Sequence, residues 1–170
     1  KRVVEIGCGQ GDFLSALCVA GENSGIGFDP SYVGVSALPG IERIEPRYFA
    51  AADASEADVI VCRQVLEHIE APAEFLRGIR ESIGPGKLAL FEVPNGKWCF
   101  GGGGIWDVIY EHCGYFTESS LRALFTHQGF RVEEIAKTFG GQFLTIVATT
   151  GGGALGAVAT DADGQLSGEV

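Results

Sequence analysis

The run Glu5-Ile6-Gly7-Cys8-Gly9-Gln10-Gly11 constrains what this chain can become more than any other stretch. It follows the apolar pair Val3-Val4 and precedes the helical spacing Phe13-Leu14-Leu17-Cys18, so its glycines occupy a strand-to-helix turn. Glycine has no Cβ and tolerates positive φ, which lets a ligand touch bare backbone. The free N–H groups of the helix start aim at the same place.

The rest of the sequence says what kind of ligand and what kind of body. At 170 residues the chain can bury one proper core, and its hydrophobic fraction of 46% with 20% charged residues is that of a globular domain. A formal net charge of −10 argues against nucleic acid as a partner and favours a small neutral or cationic ligand. The five cysteines are odd in number and show no C-x-x-C spacing, which suits a reducing cytoplasm and supplies neither a zinc nor a disulfide framework. No metal is expected. No apolar run approaches the roughly 20 residues needed to cross a bilayer, so no membrane partner is expected. The chain opens on a strand without an initiator Met, and residues upstream are expected to precede it.

Short apolar runs alternate with helical segments, the pattern of a parallel sheet covered by helices. The runs are Arg2 to Ile6, Gly25 to Phe28, Ile41 to Ile44, Val59 to Cys62 and Leu88 to Val93. A helix is predicted from Pro72 to Ile83, stopped by Gly84-Pro85-Gly86, and another from Glu118 to Gln128, capped by Thr117 and ended by Gly129. Phe130 to Phe139 and Gln142 to Thr149, joined by Gly140-Gly141, read as an antiparallel hairpin. The fold class is therefore α/β and Rossmann-like, with a mostly parallel seven-stranded sheet closed by a C-terminal antiparallel hairpin. Its ligand belongs outside the carboxyl ends of the strands. Residues 1–150 form the predicted domain and 151–170 a Gly/Ala-rich tail or linker, while Gly101 to Gly104 is expected to be a flexible lid.

Asp29 ends the second strand, eighteen residues after Gly11, where its carboxylate can accept two hydrogen bonds from a ribose diol. Dinucleotide sites want G-x-G-x-x-G, and this chain reads G-x-G-x-G. Glu5 and Asp12 put two more carboxylates where a pyrophosphate would be repelled.

Val-Glu-Ile-Gly-Cys-Gly-Gln-Gly followed by Asp29 resembles the class I S-adenosylmethionine-dependent methyltransferases, over Arg2 to about Thr149. The resemblance implies S-adenosyl-L-methionine as cofactor, with Gly7, Cys8, Gly9, Asp29 and the adjoining Pro30 as contacts and Glu5 ordering the turn. Cys62-Arg63-Gln64-Val65-Leu66-Glu67-His68-Ile69 is similar to the fourth-strand loop of small-molecule methyltransferases, which implies Arg63, Gln64 and Val65 beside the cofactor. For the adenine, Tyr48 or Phe49 is expected, ahead of Asp53 or Asp58. His68 is expected to brace its loop, and Cys8 and Cys62 to be small buried residues.

Methyl transfer from a sulfonium is an in-line displacement that needs an aligned acceptor and, for a poor nucleophile, a base. The segment Tyr110-Glu111-His112-Cys113-Gly114-Tyr115-Phe116 is similar to the Tyr-His-Glu-His-x-x-Tyr-Phe run of deoxysugar C-methyltransferases, with one His missing. That resemblance implies His112 as base, Glu111 as its orienting group, and Tyr110 or Tyr115 hydrogen-bonding the acceptor. Histidine's ordinary pKa near neutrality suits the task. The 170 residues hold neither that family's cysteine-rich amino-terminal module nor its carboxy-terminal domain, so oxygen methylation stands beside carbon methylation. The expected acceptor is a small hydroxylated molecule, a sugar nucleotide or natural-product intermediate. A regulatory module that binds the cofactor without turnover is the alternative, and a nicotinamide-dependent oxidoreductase a third. Trp98, Phe100 and Trp106 are expected to shape the acceptor pocket, and His127 to lie on the surface.

Overall fold

The computed structural model describes residues 1–34 and 38–151, so the expected tail beyond Gly151 lies outside the described residues. Seven strands, β1 (Arg2–Ile6), β2 (Ser24–Phe28), β3 (Ile41–Glu45), β4 (Val59–Arg63), β5 (Leu88–Pro94), β6 (Phe130–Thr138) and β7 (Phe143–Thr150), make one sheet in the order β3-β2-β1-β4-β5-β7-β6. The first five pair in parallel, and β7 lies antiparallel between β5 and β6. This is the expected sheet and closing hairpin.

Alternation along the strands sets the two faces. Val3 and Val61 pack with Leu14 and Cys18 of α1 (Asp12–Gly21), while Val4, Ile6, Ile60 and Cys62 join the larger core on the other side. That core is closed by Leu76, Ile79 and Ile83 of α2 (Pro72–Ile83) and by Leu121 and Phe125 of α4 (Glu118–His127), with a one-turn helix, α3 (Gly96–Trp98), between them in sequence. Pro72 starts α2 at a position where a missing N–H costs nothing, and Gly84 with φ 81° ends it. At α4, Thr117 accepts from the Ser120 N–H while the Ser120 hydroxyl accepts from the Thr117 N–H, satisfying two orphan donors. No helix among the described residues is long and apolar enough to cross a membrane.

Two expectations about connections change. The hairpin turn is a 3-10 turn over Phe139–Gly141 rather than a two-residue Gly-Gly turn, because the Gln142 carbonyl accepts from the Asn95 N–H at 2.8 Å and so is held at the end of β5. Gly101 to Gly104 is not an open lid: Cys99–Gly103 forms a π-helical turn, and buried Gly104 lies against the Trp98 ring where a Cβ would overlap it.

Candidate active site

The glycine turn is built by carbonyls and one carboxylate. Gly7, Gly9 and Gly11 have φ of 70°, 55° and 91°, left-handed values that glycine alone adopts without cost. The Gly7 N–H donates to the Phe28 carbonyl at 2.8 Å, and the Gly9 N–H donates to Asp29 Oδ2 at 2.7 Å. Asp29 Oδ1 accepts from the Ser31 N–H at 2.8 Å and the Ser31 hydroxyl at 2.6 Å. Burial alone would raise the Asp29 carboxyl, but the bonds from Ser31 and Gly9 outweigh it and hold the group below the usual range.

Asp29 therefore orders the turn, the task the sequence assigned to Glu5. Glu5 points to the α1 face of β1, 2% exposed, with no hydrogen-bond partner for Oε2 among the described residues. Burial pushes its carboxyl up to about 7, with Arg63 opposing and Asp29 assisting. Cys8 is buried beside them and its thiol is pushed up to about 12 by burial and then by the charges of Glu5 and Asp29, so it stays protonated and inert.

Val65 reaches the same turn from the next loop, since a Cβ on Gly7 would strike Val65 Cγ2. The side chains of Arg63 and Gln64, at the end of β4, turn instead to buried Glu92, each within 3.3 Å of Oε1, and the Arg63 guanidinium stacks on Phe13 at 3.9 Å. Gln64 holds φ 54°, a left-handed value uncommon outside glycine. Pro30 and Tyr48 are exposed, Tyr48 at 81%. Phe49 packs edge-on between Phe28 and Phe75 at 5.6 and 6.2 Å, part of the core. Asp53 is held by both guanidinium nitrogens of Arg47 at 2.9 Å and by the Ala50 N–H. Asp58 is removed from the site: it precedes β4 and binds Lys87 and the Arg2 N–H, at the amino ends of the strands. Two residues passed over in the sequence, Gln10 and Ser31, close the mouth of the turn through Gln10 Nε2 to the Ser31 carbonyl at 3.2 Å. Gln10 sits between the two glycines, and that was the signal available.

A second cluster lies three residues beyond Val65. His68 ends a 3-10 turn (Leu66–His68), and its ring meets that of His112 edge-on with centroids 4.7 Å apart. His68 Nδ1 lies 2.9 Å from the Glu111 carbonyl, and His112 Nδ1 lies 2.8 Å from the Asp107 carbonyl. The Tyr115 hydroxyl donates to the same Asp107 carbonyl at 3.4 Å, and the Phe100 ring lies tilted against Tyr115 with centroids 5.0 Å apart. The Gly114 N–H donates to the Glu67 carbonyl at 2.9 Å, and the Gly96 N–H to the Phe116 carbonyl at 2.7 Å, which ties the whole segment to the ends of β4 and β5.

Two sequence assignments move here. The orienting partner of His112 is the Asp107 carbonyl, not Glu111, whose side chain is exposed and whose backbone serves His68. Tyr110 is fully exposed and Trp106 73% exposed, so Tyr115 is the tyrosine that stands beside His112. Glu67, to which the sequence assigned no role, is 1% exposed, and neither carboxylate oxygen has a hydrogen-bond partner among the described residues. Burial pushes its carboxyl up to about 7. A glutamate flanked by Val65, Leu66 and Ile69 was the clue. His127 is exposed on α4, as expected.

The sequence profile described as "Methyltransferase domain" matches residues 1–135. The chain belongs to that family. S-adenosyl-L-methionine is accordingly the cofactor of this methyltransferase domain. A relative among curated proteins is a ubiquinone biosynthesis O-methyltransferase from Aromatoleum aromaticum, 31% identical over 104 residues that make up 56% of this chain and 44% of the relative. The domain thus spans under half the length of that relative. Two solved structures share the fold: human N-acetylserotonin methyltransferase in complex with SAM, with a TM-score of 0.71, 18% identity and coverage of 89% of this chain and 48% of that one; and an S-adenosylmethionine-dependent methyltransferase from Mesorhizobium loti, with a TM-score of 0.67, 16% identity and coverage of 87% and 90%.

The residues at the turn fit a cationic, ribose-bearing ligand. The Glu5 oxygen is buried without a partner, Gly9 opens onto free space where a Cβ would stand, and Asp29 Oδ2 keeps acceptor capacity beyond the Gly9 N–H. A buried carboxylate oxygen without a donor is costly unless a cation or a donor meets it.

Proposed function

We propose that this methyltransferase domain transfers a methyl group from S-adenosyl-L-methionine to a hydroxyl oxygen of a small molecule, with sugar nucleotides and phenolic natural-product intermediates as the acceptor classes. The observation that carries the reading is the contact of Val65 with Gly7, because Val65 belongs to the same short loop as Glu67 and His68, and His68 meets His112. The glycine turn and a group able to take a proton are thereby neighbours at the carboxyl ends of the strands. The relatives that carry an O-methyltransferase name support oxygen as the acceptor atom.

In this reading Gly7, Cys8 and Gly9 cradle the cofactor with their backbone, Asp29 accepts from its ribose, Glu5 faces its positive charge, and the Gln64-Val65 backbone lines its flank. When bound, the cofactor supplies a methyl group on a sulfonium; as the new C–O bond forms, the C–S bond breaks and its electron pair stays on sulfur. His112 takes the acceptor's hydroxyl proton at Nε2, because the Asp107 carbonyl holds the Nδ1–H and fixes that tautomer. Tyr115 holds the Asp107 carbonyl in place and closes the acceptor side with Phe100.

Incubation with methyl-labelled cofactor and a panel of sugar nucleotides and phenols, followed by identification of the methylated atom, tests this reading. An O-methyl product is expected. Transfer to carbon would overturn the choice of oxygen, and cofactor binding without transfer to any acceptor would leave a regulatory module.

A further inference from the structure

We infer that Glu67, His68 and His112 form a binding site for one divalent transition-metal ion, on which the acceptor hydroxyl would be held. The inference rests on the acceptor side proposed above and changes what His112 does there. One ligand atom from each of the three residues lies within 4.8 Å of the others. Donors at about 2.0–2.2 Å from a shared ion stand roughly 3–4 Å apart, so the three groups need to draw together only slightly to share one.

Three further observations point to an ion rather than a chance cluster. Both imidazoles place Nδ1 against a backbone carbonyl, Glu111 for His68 and Asp107 for His112, which fixes the Nδ1–H tautomer and leaves each Nε2 lone pair to bind. Backbone anchoring of the far ring nitrogen is how proteins hold metal-ligating histidines. The Glu67 carboxylate is buried, with both oxygens unpartnered among the described residues, and so lacks the donor or cation that a buried carboxylate needs. The Gly114 N–H fixes the Glu67 backbone, so the ligands from the two segments are joined by a direct bond. Two imidazole nitrogens and one carboxylate suit zinc-type ions better than magnesium or calcium, and three protein ligands leave positions open for a substrate oxygen.

With an ion there, His112 is a ligand. The acceptor hydroxyl is then acidified by the cation and releases its proton to water, in place of transfer to a free imidazole.

The test uses untagged protein stripped with a chelator and titrated with Co²⁺, read by its visible absorption and by heat, with Zn²⁺ as competitor. One Co²⁺ per chain is expected, with affinity falling at least tenfold in Glu67→Gln, in His68→Ala and in His112→Ala. His127→Ala should bind as the unaltered protein does. Stabilisation by S-adenosylhomocysteine, measured in each variant, shows that the fold and the cofactor half are intact. No stoichiometric Co²⁺ binding, or binding that survives all three substitutions, overturns the inference. Methyl transfer that proceeds undiminished in excess chelator also overturns it while leaving the proposed activity standing. Stoichiometric binding at these three residues in a protein that methylates no hydroxyl would uphold the metal site and sink the activity.

Discussion

The two halves of the site are built by different means. On the cofactor side the geometry is backbone: three left-handed glycines, the Phe28 carbonyl and one carboxylate hold the turn, and all lie within thirty residues of each other in sequence. On the acceptor side the geometry is side chain, and its parts come from two segments more than forty residues apart, His68 and His112, joined by their rings and by the Gly114 bond to Glu67. Backbone cradles accept a fixed ligand and tolerate little change, because each glycine conformation is obligatory. Side-chain clusters on loops can change their chemistry residue by residue.

The largest expected effect on cofactor affinity breaks the cofactor half at its centre. Gly7→Ala places a Cβ on Val65 at a φ of 70°, so cofactor affinity should fall on the order of 100-fold and stability by about 1–3 kcal/mol. Calorimetric titration and denaturant melts check both, and an alanine variant that binds normally would show that the turn is not strained as described. Asp29→Ala removes both the anchor of the Gly9 N–H and the ribose acceptor, so affinity should drop roughly 30- to 100-fold, since hydrogen bonds to a charged group are each worth about 1.5–3 kcal/mol. Retained affinity would move the ribose elsewhere.

Glu5→Gln separates stability from binding. A carboxyl held at about 7 in the folded chain and near 4.5 when unfolded takes up a proton on folding between those values, so the glutamate costs stability as pH rises through that window and the cost is complete above pH 7. Without cofactor the Gln variant should be more stable than the parent above pH 7, by up to about 3 kcal/mol, and indistinguishable near pH 4. Thermal melts across pH check the sign, and a variant less stable at pH 8 would contradict it. The smallest effect belongs to the acceptor half: Tyr110→Phe should leave turnover within about twofold, because a fully exposed ring loses nothing by the change. A larger loss would bring Tyr110 back into the chemistry.

The difference between the halves also decided what could be read from the sequence. Strand runs, the glycine spacing and Asp29 are local signals, and they predicted the mostly parallel sheet with its closing hairpin and the position of the turn. Which face of β1 carries Glu5 follows from alternation, yet the part Asp29 takes in holding the turn depends on the reach of one carboxylate to the Gly9 N–H, which spacing does not encode. Phe49 and Tyr48 are adjacent aromatics, and only packing against Phe28 and Phe75 separates a core ring from an exposed one. Asp58 looked equivalent to Asp53 until the strand direction put it at the opposite edge of the sheet. Glu67 and His68 were visible in the V-L-E-H-I run, but their meeting with His112 is a tertiary event set by the return of Phe116 to the end of β5.

The direct test of the two-part site is to measure cofactor affinity and methyl transfer together in His112→Ala. Turnover should fall about 10³-fold while affinity for S-adenosylmethionine stays within about twofold, since His112 stands on the acceptor side alone. Undiminished turnover, or affinity that falls in step with it, would contradict the division.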